Sequence, residues 1–345
     1  MNKNDLIAQW AGRRAASEFH DAVSMVLTYG SYVNGTANAL SDVDFYFIPK
    51  TDDGYRMSRT FIIDGIGYDL FPMSWQRVEG LADLNESITP CLADVRILYS
   101  NSDEDLQRFR ALQDRLAVHL QDGEFMLNKA SDRLKQAKTT YGAMLFEDGL
   151  CETRTCAGYI AMSLSEAVAY ANHTYFRRGL KKQIEDLVAM KSIPEDFVNL
   201  YEAIVQADTV TSLRDASCQM IKNTGDFLRD LSGELKHDKQ PDYPGMAECY
   251  EEGISTWNKI YGCCDRKDAT LAFISGTCLQ HVLDEVAQEN GLSKFDLMGG
   301  FQAENLEAFR QRAKALQAEF VNLIETGGAR IDSYGSAEEF LDKNP

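Results

Sequence analysis

Apolar and polar positions change their spacing part-way along the chain. Up to about residue 100, short apolar runs and alternating stretches dominate, whereas from Asp103 onward apolar residues recur every three or four positions. Leu6, Trp10, Ala15, Phe19 and Val23 predict a helix leading into a first strand, Ala22 to Leu27, which runs into Gly30-Ser31. Further strands are predicted near 43–48, 59–64 and 68–73, with Val95 to Tyr99 able to add another. Thr60 to Phe71 reads as a hairpin that turns at Asp64-Gly65-Ile66-Gly67. Leu106, Phe109, Leu112, Leu116 and Leu120 mark a connecting helix. Amphipathic segments near 124–147, 154–176, 181–190, 195–206, 209–233, 246–261, 268–290 and 303–326 then predict a helical bundle, with a short capping helix in the tail from Ser333 to Pro345. Pro194, Pro241 and Pro244 fall where helices should break. The expected fold class is α+β, with a domain over 1–121 built on a small mixed β-sheet flanked by helices and an α-helical bundle domain over 122–345.

Composition narrows the range of functions. At 345 residues the chain is long enough for two domains of ordinary size. Its formal net charge of −18 disfavours a nonspecific nucleic-acid binder, which would neutralise phosphates with clustered Lys and Arg, and tilts slightly toward a cationic small molecule. Eight cysteines, at 91, 151, 156, 218, 249, 263, 264 and 278, show no paired C-x-x-C sets, so zinc is not expected. The polar start Met1-Asn2-Lys3-Asn4-Asp5 is unlike a signal sequence, and no apolar run reaches membrane-spanning length. A reducing cytoplasm is the expected compartment, without membrane attachment.

The densest chemistry lies between residues 27 and 69. Gly30 permits a close backbone approach to a ligand, and Ser31, if it opens a short helix, turns its hydroxyl and free N–H groups outward toward phosphate oxygens. In Ser41-Asp42-Val43-Asp44-Phe45-Tyr46-Phe47, a period of two places Asp42 and Asp44 on one face and Val43, Phe45 and Phe47 on the other. Neighbouring carboxylates repel each other unless a divalent cation lies between them, and such hard oxygen ligands suit Mg²⁺ that also contacts substrate phosphates. Asp69, early in the returning hairpin strand, is the third candidate ligand; Asp64, beside Gly65, is a rival better explained by the turn. A solvated edge strand is the plainer alternative for Ser41 to Asp44.

Gly30-Ser31, then Ser41-Asp42-Val43-Asp44, then a later strand with Asp69 resemble the signature of the DNA polymerase β-type nucleotidyltransferase superfamily, in its small antibiotic-modifying branch. The overall plan is similar to that of aminoglycoside (kanamycin-type) nucleotidyltransferases, and the motif match spans roughly residues 22 to 75. The resemblance implies that 1–121 is the catalytic domain and 122–345 the substrate-binding domain. It implies Mg²⁺ held by Asp42, Asp44 and Asp69, a nucleoside triphosphate (ATP the expected one) gripped by Gly30, Ser31 and Ser41, and a small-molecule hydroxyl acceptor of the aminoglycoside kind.

In the helical half, Glu166 is the candidate general base, sharing a face with Met162, Ala169, Tyr170 and His173 that could raise its pKa. Kanamycin-type members use a helical-domain glutamate in this role; a core-edge glutamate satisfied by a partner is the competing explanation. Arg177-Arg178-Gly179-Leu180-Lys181-Lys182 is the densest basic cluster, so Arg177 and Lys181 are candidates for the triphosphate and departing pyrophosphate. Tyr170, Asn172 and His173 are further cleft candidates, and the acidic stretch Glu248 to Glu252 is given no site role. Transfer to a protein or RNA acceptor and a nucleotide sensor without transfer stay open as alternatives, as does a homodimer.

Overall fold

A computed structural model describes residues 3–37, 41–236 and 240–344. The chain divides into two compact units, Met1–Ser232 and Gly233–Pro345. The boundary expected from sequence at 121/122 falls inside the first unit, at the turn between two of its helices.

The first unit opens with α1 (Lys3–Glu18), β1 (Val23–Tyr29), a single turn α2 (Ser31–Asn34) and β2 (Asp44–Pro49). A 3-10 turn over Asp52–Met57 leads to the hairpin β3 (Arg59–Ile63) and β4 (Ile66–Pro72). Next come α3 (Trp75–Ala82), α4 (Pro90–Ala93), β5 (Arg96–Ser100) and α5 (Asp103–His119). The strands form a mixed five-stranded sheet in the order β3-β4-β2-β1-β5, with β2 and β4 parallel and the other pairs antiparallel. The hairpin turns more tightly than expected. Asp64 (φ 51°) and Gly65 (φ 77°) form the whole loop, as a two-residue turn with both φ positive requires, and Ile66 and Gly67 already belong to β4.

Both faces of the central strands are covered. Val43, Phe45 and Phe47 pack with Val23, Val26, Tyr68 and Leu70 against Ile7, Ala8, Ala11 and Ala15 of α1. Leu6 is 47% exposed and Trp10 only half-buried, so the buried stripe of α1 is turned from the expected one, and Phe19 and Val23 lie beyond the helix. Small alanines win the inward positions because Gly12 already brings α1 to within 3.0 Å, measured from a Cβ built on it, of the Leu98 carbonyl. On the opposite face Met25, Leu27, Tyr46 and Ile48 join α3, α4 and α5 in one core.

That core continues into α6 (Gly123–Met144), α7 (Leu150–Ala171), α8 (Gln183–Val188), α9 (Phe197–Gln206) and α10 (Val210–Lys236) through Met126, Leu134, Ile160, Leu164, Phe197 and Met220. Side-chain caps fix several starts: Ser102 accepts from the Asp105 N–H and Asp122 from the Phe125 N–H. The second unit holds α11 (Tyr243–Asp265), α12 (Ala269–Glu289), α13 (Leu306–Thr326) and α14 (Ala337–Lys343), with Trp257, Ile260, Leu283, Phe309 and Phe320 in a core of its own. Pro244 lies in the first turn of α11, where its missing N–H costs nothing, while Pro194 precedes α9. Among the described residues no helix is long and apolar enough to cross a membrane.

Candidate active site

The site begins where β1 ends beside β2. Tyr29 pairs with Asp44 across the two antiparallel strands, and the Thr28 hydroxyl donates to the Asp44 carbonyl at 2.8 Å. Gly30 follows with φ 72° and ψ −152°, a region that only glycine occupies readily. A Cβ on Gly30 would lie 2.2 Å from Asp44 Oδ2. The backbone of the Gly30-Ser31 turn and the Asp44 carboxylate are therefore in direct contact. This juxtaposition of the two motif halves comes from strand register and from a residue without a side chain.

Ser31 opens α2, which is one turn long, and the Gly30 carbonyl accepts from the Val33 and Asn34 N–H groups, both at 3.1 Å. Such a helix adds no useful macrodipole; what it contributes is the position of the Ser31 hydroxyl and of the backbone beside it. Tyr32 is held from behind, donating to Asp5 Oδ1 at 2.5 Å with Arg96 4.6 Å from its ring centroid. Ser41 is buried and its carbonyl accepts from Asn4 Nδ2 at 3.1 Å, which fixes the entry to β2. Asp42 precedes the strand, and the residues between Ala37 and Ser41 lie outside the described ones.

The electrostatics single out Asp44. Its pKa is pushed up to about 6 from 3.8, first by burial and then by the charge of Asp42, while the cation of Lys181 opposes the shift. Asp42 and Lys181 are thus both electrostatic neighbours of Asp44. Beside Asp44 lies a layer that sequence reasoning did not find, since Tyr29 and Cys91 both interact electrostatically with Asp44. Tyr29 is hydrogen bonded to the Cys91 thiol, Tyr46 donates to the Cys91 carbonyl at 2.5 Å, and burial pushes the thiol up to about 12. Alternation along β1 could have placed Tyr29 beside Asp44, but Cys91 is brought in by α4, for which no periodic signal exists.

The remaining candidates lie as follows. Asp69 is on the same sheet face as Asp44, since Phe45 pairs with Leu70 in the parallel register; it is exposed, and its Oδ1 accepts from the Thr60 hydroxyl at 2.8 Å. Among the described residues no group of three or more His, Cys, Asp or Glu side chains is gathered as a metal site would need. Asp64 sits in its turn, 79% exposed, with Lys3 3.4 Å away. Glu166 lies inside α7 and is engaged by Arg133, 3.0 Å away, with both side chains about 15% exposed (14% and 15%). The Arg133 guanidinium is 5.7 Å from the Tyr170 ring centroid. His173 does not continue the face of Glu166: α7 ends at Ala171, His173 takes φ 58°, and its Nδ1 is 3.0 Å from the Leu120 carbonyl. Asn172 ends the helix and bonds Ser192 through both side-chain atoms, at 2.6 and 3.0 Å. Arg177 lies over the Tyr175 ring, 5.3 Å from its centroid, while Lys181, beyond Gly179, is the cation that reaches Asp44 electrostatically.

No protein-family model matches the chain, and no curated protein matches it. Among solved structures, a nucleotidyltransferase-like protein from Exiguobacterium sibiricum 255-15 is similar with a TM-score of 0.36 and 11% identity, over 65% of this chain and 75% of that one.

Proposed function

We propose that the chain is a magnesium-dependent nucleotidyltransferase. It would transfer a nucleoside monophosphate from a nucleoside triphosphate, ATP in the first instance, to a hydroxyl of a small cationic molecule such as an aminoglycoside. The observation that carries this reading is the contact between the Gly30-Ser31 turn and a half-buried Asp44, with Asp42 and Lys181 as its charged neighbours.

The donor set suits a hard divalent cation. Two carboxylates close enough for one to raise the other's pKa, one of them partly desolvated, form an arrangement that a cation stabilises. Asp42 and Asp44 would hold Mg²⁺, with Asp69, whose Oδ1 accepts from the Thr60 hydroxyl, as the third candidate carboxylate. When bound, the metal supplies charge neutralisation for the attacking and leaving oxygens.

The chain's own residues would do the rest. Gly30 brings backbone against the phosphates, Ser31 and Ser41 orient them, and Lys181 with Arg177 compensates the negative charge that grows on departing pyrophosphate. The acceptor oxygen bonds to the α-phosphorus, the bond from that phosphorus to the bridging oxygen breaks, and the hydroxyl proton passes to a base. Glu166 serves as that base only after exchanging Arg133 for the acceptor. The acidic balance of −18 supports a cationic acceptor over RNA.

The test is pyrophosphate release from each of the four common nucleoside triphosphates with Mg²⁺, alone and with aminoglycoside or lincosamide pools, for the wild type and Asp44→Asn. Release that needs one pool and Asp44 is expected. Full release by a folded Asp44→Asn variant would sink the proposal. The hold of Thr60 on Asp69 favours one second reading, a protein that binds the triphosphate without transferring it. Binding without release in every pool would select that reading, whereas release with a protein or RNA acceptor would change the acceptor class.

A further inference from the structure

Two adjacent residues in the first turn of α1 reach all three sheet segments that carry the phosphate-facing turn and the candidate carboxylates. Asn4 donates through Nδ2 to the Ser41 carbonyl at 3.1 Å, with the Asp42 carbonyl at 3.5 Å as a weaker second acceptor. Its Oδ1 accepts from the hydroxyl of Tyr68, the residue before Asp69 in β4, at 3.1 Å. Asp5 accepts at 2.5 Å from the hydroxyl of Tyr32, which follows Ser31 in α2. The turn, the entry to β2 and the strand of Asp69 are thus tied to one another through neighbouring side chains.

The tie has a firm base. Ile7, Ala8, Ala11 and Ala15 are buried against the sheet, and a Cβ on Gly12 would stand 3.0 Å from the Leu98 carbonyl oxygen of β5. Arg96, also on β5, lies 4.6 Å from the Tyr32 ring centroid, so Tyr32 is held at its face as well as at its hydroxyl. A helix of one turn, such as α2, has little stability of its own and depends on contacts of this kind. The chemistry at each position is specific. Carbonyl oxygens only accept, so position 4 must offer a donor, whereas the Tyr32 hydroxyl donates and needs an acceptor at position 5. An aspartate at position 4 would set oxygen against two carbonyls, while an asparagine at position 5 would still accept from Tyr32.

We propose that Asn4 and Asp5 are positioning residues of the site. Asp5 holds the Gly30-Ser31 turn through Tyr32, and Asn4 holds the entry to β2, so that the turn and the carboxylates keep the spacing a triphosphate with its cation needs. The catalytic side of this assignment rests on the transfer reading.

Amide hydrogen exchange of the full chain, without nucleotide or metal, tests the positioning itself. Val33 and Asn34 bond the Gly30 carbonyl, and Thr36 and Ala37 the Ser31 carbonyl, through their N–H groups. Asp5→Ala should speed exchange at these four amides about tenfold, as loss of one charge-assisted hydrogen bond implies. Tyr32→Phe should do the same while leaving the first-turn carboxylate of α1 in place, and the double variant should add little to either. Asp5→Asn should recover most of the loss. Asn4→Asp should speed exchange at the start of β2 instead. Pyrophosphate release then separates positioning from general weakening: Asp5→Ala and Tyr32→Phe should raise the KM for triphosphate about tenfold with a smaller change in kcat, and Asn4→Asp should lower kcat about tenfold with a smaller change in KM. Unchanged exchange in Asp5→Ala and Tyr32→Phe, or exchange that rises equally across the whole sheet, would overturn the proposal, as would release with KM and kcat unmoved in all these variants. A wild type that releases no pyrophosphate in any pool would sink the transfer reading instead, and the exchange rates would then decide alone whether Asn4 and Asp5 hold the two segments.

Discussion

Gly30 and Gly35 flank the same short turn at nearly the same φ, 72° and 75°, yet they answer different constraints. Gly35 has the ordinary left-handed ψ of 15° and open space where a Cβ would stand, so Gly35→Ala should cost only about 1 kcal/mol of backbone strain. Gly30→Ala meets both a glycine-only backbone region and Asp44 Oδ2 at 2.2 Å, and should cost about 3 kcal/mol while displacing the carboxylate. Urea denaturation of the two variants measures the difference; equal losses would show that the contact with Asp44 is not a constraint. Asp44 itself makes a pH prediction. Its folded pKa, about 6, lies above the ordinary 3.8, so the folded state holds the proton more tightly than the unfolded one. Its contribution to stability is therefore fully present below about pH 4 and is lost as pH rises through about 6. Without divalent cations, Asp44→Asn should lack this loss and melt higher than the wild type above about pH 6, with the gap closing toward about pH 4. Under the proposed function Mg²⁺ should narrow the same gap by stabilising the wild type alone, and chelation should reopen it.

At the scale of elements, the part of the fold legible in the sequence is the part with a sustained period. The five strands and the helices from α5 onward follow apolar spacing, and the hairpin turn follows Asp64-Gly65. The helices α3 and α4 escape because two turns or one turn of chain hold too few apolar repeats to register, although Val78, Leu81, Cys91 and Leu92 are all buried. The site divides in the same way. Gly30, Asp42 and Asp44 are readable because they lie in or directly beside the neighbouring strands β1 and β2, whereas the Tyr29–Cys91 layer and the Arg133–Glu166 pair join elements that no local pattern connects. The loop after α7 was legible only as a run of charge; its shape depends on contacts to distant residues, among them Asn172 with Ser192, His173 with Leu120, Tyr175 with Asp94 and Arg178 with Asp186. Asn172→Ala removes three side-chain hydrogen bonds, two to Ser192 and one to the Val168 carbonyl, and should cost about 3 kcal/mol. Because the loss falls on the loop, limited trypsin digestion should cut at Arg177, Arg178, Lys181 or Lys182 faster than in the wild type. An unchanged cleavage rate would mean that the contacts left, Tyr175 with Asp94, His173 with Leu120 and Arg178 with Asp186, suffice to hold the loop.

For the whole molecule, the division into Met1–Ser232 and Gly233–Pro345 sets which part must be present for the candidate site to exist. Asp42, Asp44, Asp69, Glu166, Arg177 and Lys181 all belong to the first unit. The first unit has its own cores on both faces of the sheet, and the second unit has a separate one around Trp257 and Phe309. A chain truncated after Lys236, at the end of α10, should therefore fold cooperatively and keep the sheet, since burial within each unit supplies the dominant stabilising contribution. Under the proposed function the truncated chain should also bind a nucleoside triphosphate with Mg²⁺, seen as a rise in melting temperature that Asp44→Asn removes. If the acceptor also needs the second unit, pyrophosphate release with the acceptor pool should fall while triphosphate binding stays. A truncated chain that folds but shows no Asp44-dependent shift would place an essential part of the nucleotide site beyond residue 236, and would count against assigning that site to the first unit alone.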